Sequence, residues 1–126
     1  MRLFKTKWFN RFARQEQIAD RALVEAIASI GRGAVDADRG GEIFKQRVAR
    51  TGAGKSGGYR VLVAYRSGDR SVFLFGFAKN ERDNITVREL NGLRDLGKLW
   101  LDASERDIRH AIELRTLHEI GPEEVS

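Results

Sequence analysis

Ile43–Ser67, IFKQRVARTGAGKSGGYRVLVAYRS, with the segment behind it, Asp69–Ile85, DRSVFLFGFAKNERDNI, decides how the rest of the chain is arranged. Two β-rich runs flank a glycine-rich turn in the first segment, and an apolar run fills the second. Six bases lie between Ile43 and Ser67 (Lys45, Arg47, Arg50, Lys55, Arg60 and Arg66), and no acid does. The chain has 23 Lys+Arg against 18 Asp+Glu, so without those six, 17 bases stand against 18 acids. All of the positive excess sits in this one stretch, which points to a surface that faces phosphate.

Alternation sharpens the picture. A strand over 42–49 puts Ile43, Lys45 and Arg47 on one face and Phe44, Gln46 and Val48 on the other. A core face does not carry Lys45 and Arg47, so their side is expected to be exposed or to line a cleft. Mixed signs are usual on a solvated face, and here no acid interleaves. In the next strand Tyr59, Val61, Val63 and Tyr65 share one face, while Arg60, Leu62, Ala64 and Arg66 share the other. The run SVFLFGFAK is apolar almost throughout and reads as a central strand that ends abruptly in Lys79-Asn80-Glu81-Arg82-Asp83-Asn84.

GAGKS within the loop RTGAGKSGG resembles a P-loop, but the pattern needs glycine where this chain has Ala49. A P-loop must also open a helix, and YRVLVAY reads as a strand. Nucleoside triphosphate binding is therefore excluded, leaving a hairpin loop with Lys55 near its tip.

Outward from this centre, Arg2–Thr6 reads as a short strand. Trp8, Phe9 and Phe12 mark a helix over 7–14. Ile18, Ala22, Leu23, Ala26, Ile27 and Ile30 mark a second helix, stopped by Gly31 and Gly33. The aromatic cluster is read as core rather than as a platform for bases. AVDADRGG, over 34–41, reads as a connection. A helix is expected over 86–101 on the stripe Val87, Leu90, Leu93, Leu96, Leu99 and Trp100, with Gly92 and Gly97 against it. Ser104 and Asp107 cap a last helix through Leu114, and TLHEIGPEEVS reads as a short strand before Pro122 and a frayed end after it.

With 126 residues, 41% hydrophobic and 33% charged, the chain is expected to form one domain over 1–126, with 116–126 as its tail. It has no cysteine, so disulfides and thiolate metal sites are excluded. MRLFKTKWFNRFARQEQ is too often interrupted by charge for a signal peptide, and no apolar run reaches spanning length. A cytoplasmic location is the expectation.

The strings IFKQRVARTGAGKSGGYR and FLFGFAKNERDNI resemble the RelE/HigB branch of the RelE/ParE toxin superfamily, the toxins of type II toxin–antitoxin modules. The resemblance covers nearly the whole chain to about Leu101. It implies an α+β, RelE-like fold: a small antiparallel sheet of about four strands, two N-terminal helices on one face, and one or two C-terminal helices. It also implies an endoribonuclease that cleaves mRNA, often on the ribosome, and that is neutralised by a cognate antitoxin protein. Cleavage is expected to need no metal or cofactor, because no cluster of His, Cys and carboxylates has ligand spacing and the basic surface would repel a divalent cation. Under it, Arg60 matches the arginine aimed at the scissile phosphate, and Lys45 and Arg47 match a basic strand. Lys79 and Asn80 stand in a short basic segment after the last strand. Asn80 replaces the arginine of the best-studied branch, and a tyrosine found shortly afterwards is missing around Ile85 and Thr86.

The residues bear on that reading independently. RNA cleavage by the 2′-hydroxyl needs a base, positive charge for the phosphorane and an acid for the 5′-oxygen. The two histidines, His110 and His118, lie far in sequence from the basic stretch and are read as surface residues. Catalysis would then fall to Arg60, Lys45, Arg47, Lys79 and Glu81, with Arg50, Lys55, Arg66 and Asn80 binding RNA. Glu81 is either a base or merely an acid favoured near a helix start. Two alternatives remain. One is a gyrase-inhibiting ParE-like toxin, against which the density of bases argues. The other is an RNA-binding module without chemistry, against which the core-like aromatics argue.

Overall fold

The computed structural model describes residues 1–49 and 58–121. In chain order the elements are β1 (Arg2–Thr6), α1 (Lys7–Gln15), α2 (Asp20–Gly31), β2 (Ala37–Asp38), β3 (Ile43–Val48), β4 (Tyr59–Arg66), β5 (Arg70–Ala78), α3 (Val87–Asp102), α4 (Glu105–Glu113) and β6 (Leu117–Glu119). They form one open sheet in the order β2-β3-β4-β5-β1-β6, with β1 parallel to β5 and the other pairs antiparallel.

The architecture is the expected α+β arrangement, but the sheet has six strands rather than about four and is mixed rather than antiparallel, because β1 runs parallel to β5. β2 lies in the stretch read as a connection, and β6 forms the short strand expected before Pro122. β5 is central, between β4 and β1, and buried along most of its length. That explains why its sequence is apolar rather than alternating.

Helices cover both faces. α1 and α2 lay Phe9, Ala13, Leu23, Ala26, Ile27 and Ile30 on Tyr59, Val61, Val63 and Phe73. α3 and α4 lay Leu90, Leu101, Ile108 and Ala111 on Ile43, Leu62, Ala64, Val72 and Leu74. Each fully buried large side chain contributes roughly 1.5–3 kcal/mol. Local signals start the helices. Thr6 Oγ1 accepts from the Phe9 amide at 3.1 Å, and Ser104 Oγ accepts from that of Asp107 at 3.1 Å. Thr86 and Glu89 close a reciprocal capping box, with bonds of 3.0 and 2.8 Å.

The glycine that argued against α3 is the one that lets it pack. A Cβ at Gly97 would lie 2.8 Å from Ile43 Cδ1 and 3.1 Å from Ala64 Cβ, so the missing side chain allows the helix to sit directly on β3 and β4. Gly76 does the same on the other face, where a Cβ would come within 2.6 Å of the Phe12 ring. A bulge between Leu62 and Val63 pairs Leu62 with Phe75 and Val63 with Phe73, and Leu74 is the extra residue.

Candidate functional site

The face under α3 and α4 is covered at one end and open at the other. β3 was expected to be exposed along Ile43, Lys45 and Arg47. Instead Ile43 is fully buried beneath α3, Lys45 is half-buried and Arg47 is exposed. Alternation gives the face correctly, but the cover comes from a helix more than forty residues away in sequence.

At the open end Arg47 pairs across the ladder with Arg60. Like charges placed directly opposite destabilise a sheet. Among the described residues one carboxylate answers them: Arg60 Nε lies 3.6 Å from Asp36 Oδ2, a loose ion pair, and Arg60 Nη1 donates to the Tyr59 carbonyl at 3.4 Å. Arg60 is 6% exposed, so the phosphate-facing position expected for it is in fact a buried one. Among the described residues, Lys45, Arg47 and Lys79 make no ion pair.

The turn after β5 lies at the same end, because Tyr59 pairs with Ala78. The Lys79 amide donates to the Gly58 carbonyl at 3.1 Å and that of Glu81 to Ala78 at 3.0 Å. Lys79, Asn80 and Glu81 are all exposed there. Arg50 and Lys55 lie outside the described residues.

Three further residues at this end escaped the sequence reading. The Arg82 guanidinium lies 5.5 Å from the Phe77 ring centroid and 6.0 Å from that of Phe75, within cation–π range. It also forms a two-pronged pair with Glu89, at 2.6 and 3.3 Å. Hydrogen bonds from Arg82, and then from Thr86, hold the Glu89 carboxyl well below its usual value, at about 2. Trp8 was read as core but is 44% exposed, and its indole stacks on Phe75 at 4.6 Å between centroids. Asp36 sat in the supposed connection. Arg82 was within reach of the sequence, since Glu89 lies seven residues on, whereas Trp8 and Asp36 meet Phe75 and Arg60, which are distant in the chain.

Arg66 does not join this group. It lies at the other end of β4, where its guanidinium donates to Glu42 at 2.7 and 3.0 Å, to Asp102 at 2.9 Å and to the Leu101 carbonyl at 3.1 Å. These bonds pull Glu42 below the usual carboxylate range, and Asp102 is lowered by Lys98 and then by Arg66. His110 lies on α4, and His118 lies on β6 opposite Lys5.

Among the described residues no group of His, Asp and Glu can hold a metal ion, and no helix is long and apolar enough to cross a membrane. The arrangement is thus a cationic corner with an acid–base-capable turn, built on the rim of a sheet.

Residues 1–120 match the family described as the RelE toxin of the RelE/RelB toxin–antitoxin system, and the chain belongs to that family. Membership gives it a toxin's role and implies a cognate antitoxin as partner. No individual curated protein matches the sequence.

Proposed function

We propose that the chain is a metal-independent endoribonuclease that inhibits translation by cutting mRNA, on the ribosome, at the open end of the sheet. The observation that carries this reading is the cross-strand pair Arg47–Arg60, flanked by Lys45 and Lys79, with Asp36 as its only carboxylate partner among the described residues. Such a cluster costs folding free energy and is offset when a phosphate enters it. The same crowding of charge on a sheet rim argues against a gyrase-directed toxin with no nuclease chemistry.

Guanidinium groups keep their protons, so Arg47 and Arg60 supply charge alone. In the proposed reaction Glu81 takes the proton of the 2′-hydroxyl, whose oxygen forms a bond to phosphorus. The bond from phosphorus to the 5′-oxygen breaks, and a lysine, Lys45 or Lys79, protonates the leaving oxygen. The products are a 2′,3′-cyclic phosphate and a 5′-hydroxyl. Asn80, beside Lys79, offers a side-chain amide to the backbone.

The test is single-turnover cleavage of an end-labelled mRNA, alone and programmed on ribosomes, with chelator present. Cyclic-phosphate ends that disappear in Lys45→Ala/Arg47→Ala support the reading. Unchanged mRNA in both settings, with intact toxicity in cells, overturns it.

A further inference from the structure

A second basic site lies on the opposite face of the sheet, between α1 and the end of β6. There a cleft of about 530 Å³ is lined by Lys7, Arg11, Arg14, Arg115 and His118, and otherwise only by side-chain amides. Lys7, Arg11 and Arg14 follow one another at helical spacing along the stripe of α1 opposite buried Phe9 and Ala13. Among the described residues none of these four Lys and Arg side chains makes an ion pair. No acid among the described residues lines the cleft, and Asp20, on α2, is held by Lys5 at 2.8 Å.

Helix formation accounts for Arg14, a base in the last turn of α1, but not for the others. Lys7 is the first helical residue, where the dipole favours an acid, and the first turn holds no acid. Lys7 and Arg11 are a like-charge i,i+4 pair, which weakens a helix. Arg115 has φ of 61°, a left-handed backbone that favours glycine after a helix end, yet an arginine stands there. His118, lowered first by burial and then by Lys5 and Arg115, registers the local positive potential.

We propose that this cleft is a second phosphodiester-binding site, which takes the backbone of the same RNA strand away from the point of cleavage. It rests on the ribonuclease reading above. Trp8 links the two sites: it follows Lys7 of the cleft, and its indole stacks on Phe12 at 5.4 Å and on Phe75 at 4.6 Å, the latter the ring beside Arg82. The part of the indole that stays exposed places an aromatic surface on the path between the cleft and the cleavage site, against which the bases of a single strand can lie. A protein segment would instead need apolar anchors, and the cleft lining has none.

Fluorescence anisotropy with labelled single-stranded RNA, as a trinucleotide and as a long oligonucleotide, tests this on the full chain. The cleft variant is Arg11→Ala/Arg14→Ala and the site variant Lys45→Ala/Arg47→Ala. We expect the cleft variant to lose about tenfold or more in affinity for the long RNA, with its salt slope shallower by about 1.4, from roughly 0.7 per lost phosphate contact. Its trinucleotide affinity stays at the wild-type value, and Arg11→Lys/Arg14→Lys restores the slope. Unchanged long-RNA affinity in the cleft variant, while the site variant weakens it, overturns the cleft and leaves the ribonuclease reading standing. A site variant with no effect on either RNA, beside a weakened cleft variant, overturns that reading and keeps the cleft. Loss of binding to poly-glutamate but not to RNA makes the cleft a protein-docking site and overturns the proposal.

Discussion

Arg60 and Arg66 lie on the same strand and the same face, roughly 20 Å apart, and meet opposite surroundings. At the Arg66 end three arginines stand side by side across the sheet, since Arg70 pairs with both Arg66 and Arg2. Every one of them is answered. Glu42 and Asp102 hold Arg66, while Glu105 bridges Arg2 and Arg70, and Glu119 takes Arg2 as well. The carbonyls of Trp100 and Ala103, where α3 ends, accept from Arg70 at 3.0 and 2.9 Å. At the Arg60 end the like-charged pair Arg47–Arg60 has, among the described residues, one carboxylate, at 3.6 Å. Arginine in a sheet is thus fully neutralised where helix ends bring several acids to it, and left with surplus charge where a single loose carboxylate answers two guanidinium groups.

Substitution at both ends breaks or sharpens this contrast. The largest effect is expected from Arg60→Ala, which should slow single-turnover cleavage by about 100- to 1000-fold, equivalent to about 3–4 kcal/mol of lost transition-state stabilisation. Because Arg60 is buried, some loss of stability accompanies it. Arg60→Lys is the control, keeping charge but losing the planar fork. A near-normal rate in Arg60→Ala would make Arg60 structural as well and erase the difference between the ends.

Gly97→Val is the counterpart beneath the covering helix. The added atoms meet Ile43 and Ala64, so the melt should show a loss of about 1–3 kcal/mol from overpacking. Cleavage at temperatures well below the transition should persist, because the site lies beyond the contact. Arg66→Ala comes next: about 1 kcal/mol, on the order of 4 °C in Tm, with no change in cleavage rate. A cleavage defect without a thermal shift would put Arg66 back among the RNA-binding residues.

The smallest effect concerns acid. Glu89 titrates at about 2 against an ordinary value of 4.5, so the folded state holds its charged form more tightly than the unfolded chain does. Its contribution is therefore complete above about pH 4.5 and is lost as pH falls towards 2. Urea unfolding of Glu89→Gln should show a shallower fall in stability across that window than wild type. An identical acid slope would mean that the Arg82–Glu89 pair does not persist in solution.

Much of this molecule was legible in the amino-acid order. Periodicity marked both N-terminal helices and α3, alternation assigned the faces of β3 and β4, and the all-apolar run located the central strand. The concentration of charge between Ile43 and Ser67 was equally plain. The sequence could not divide those bases into two populations, because the acids that neutralise Arg66 come from Glu42 and from the far end of α3, while the acid beside Arg60, Asp36, comes from the bend just before a two-residue edge strand. Local patterning fixes which face a side chain points to, through the geometry of a single strand. Whether a charge on that face is paired, buried or open depends on which distant segment packs over it, and only the folded chain decides that.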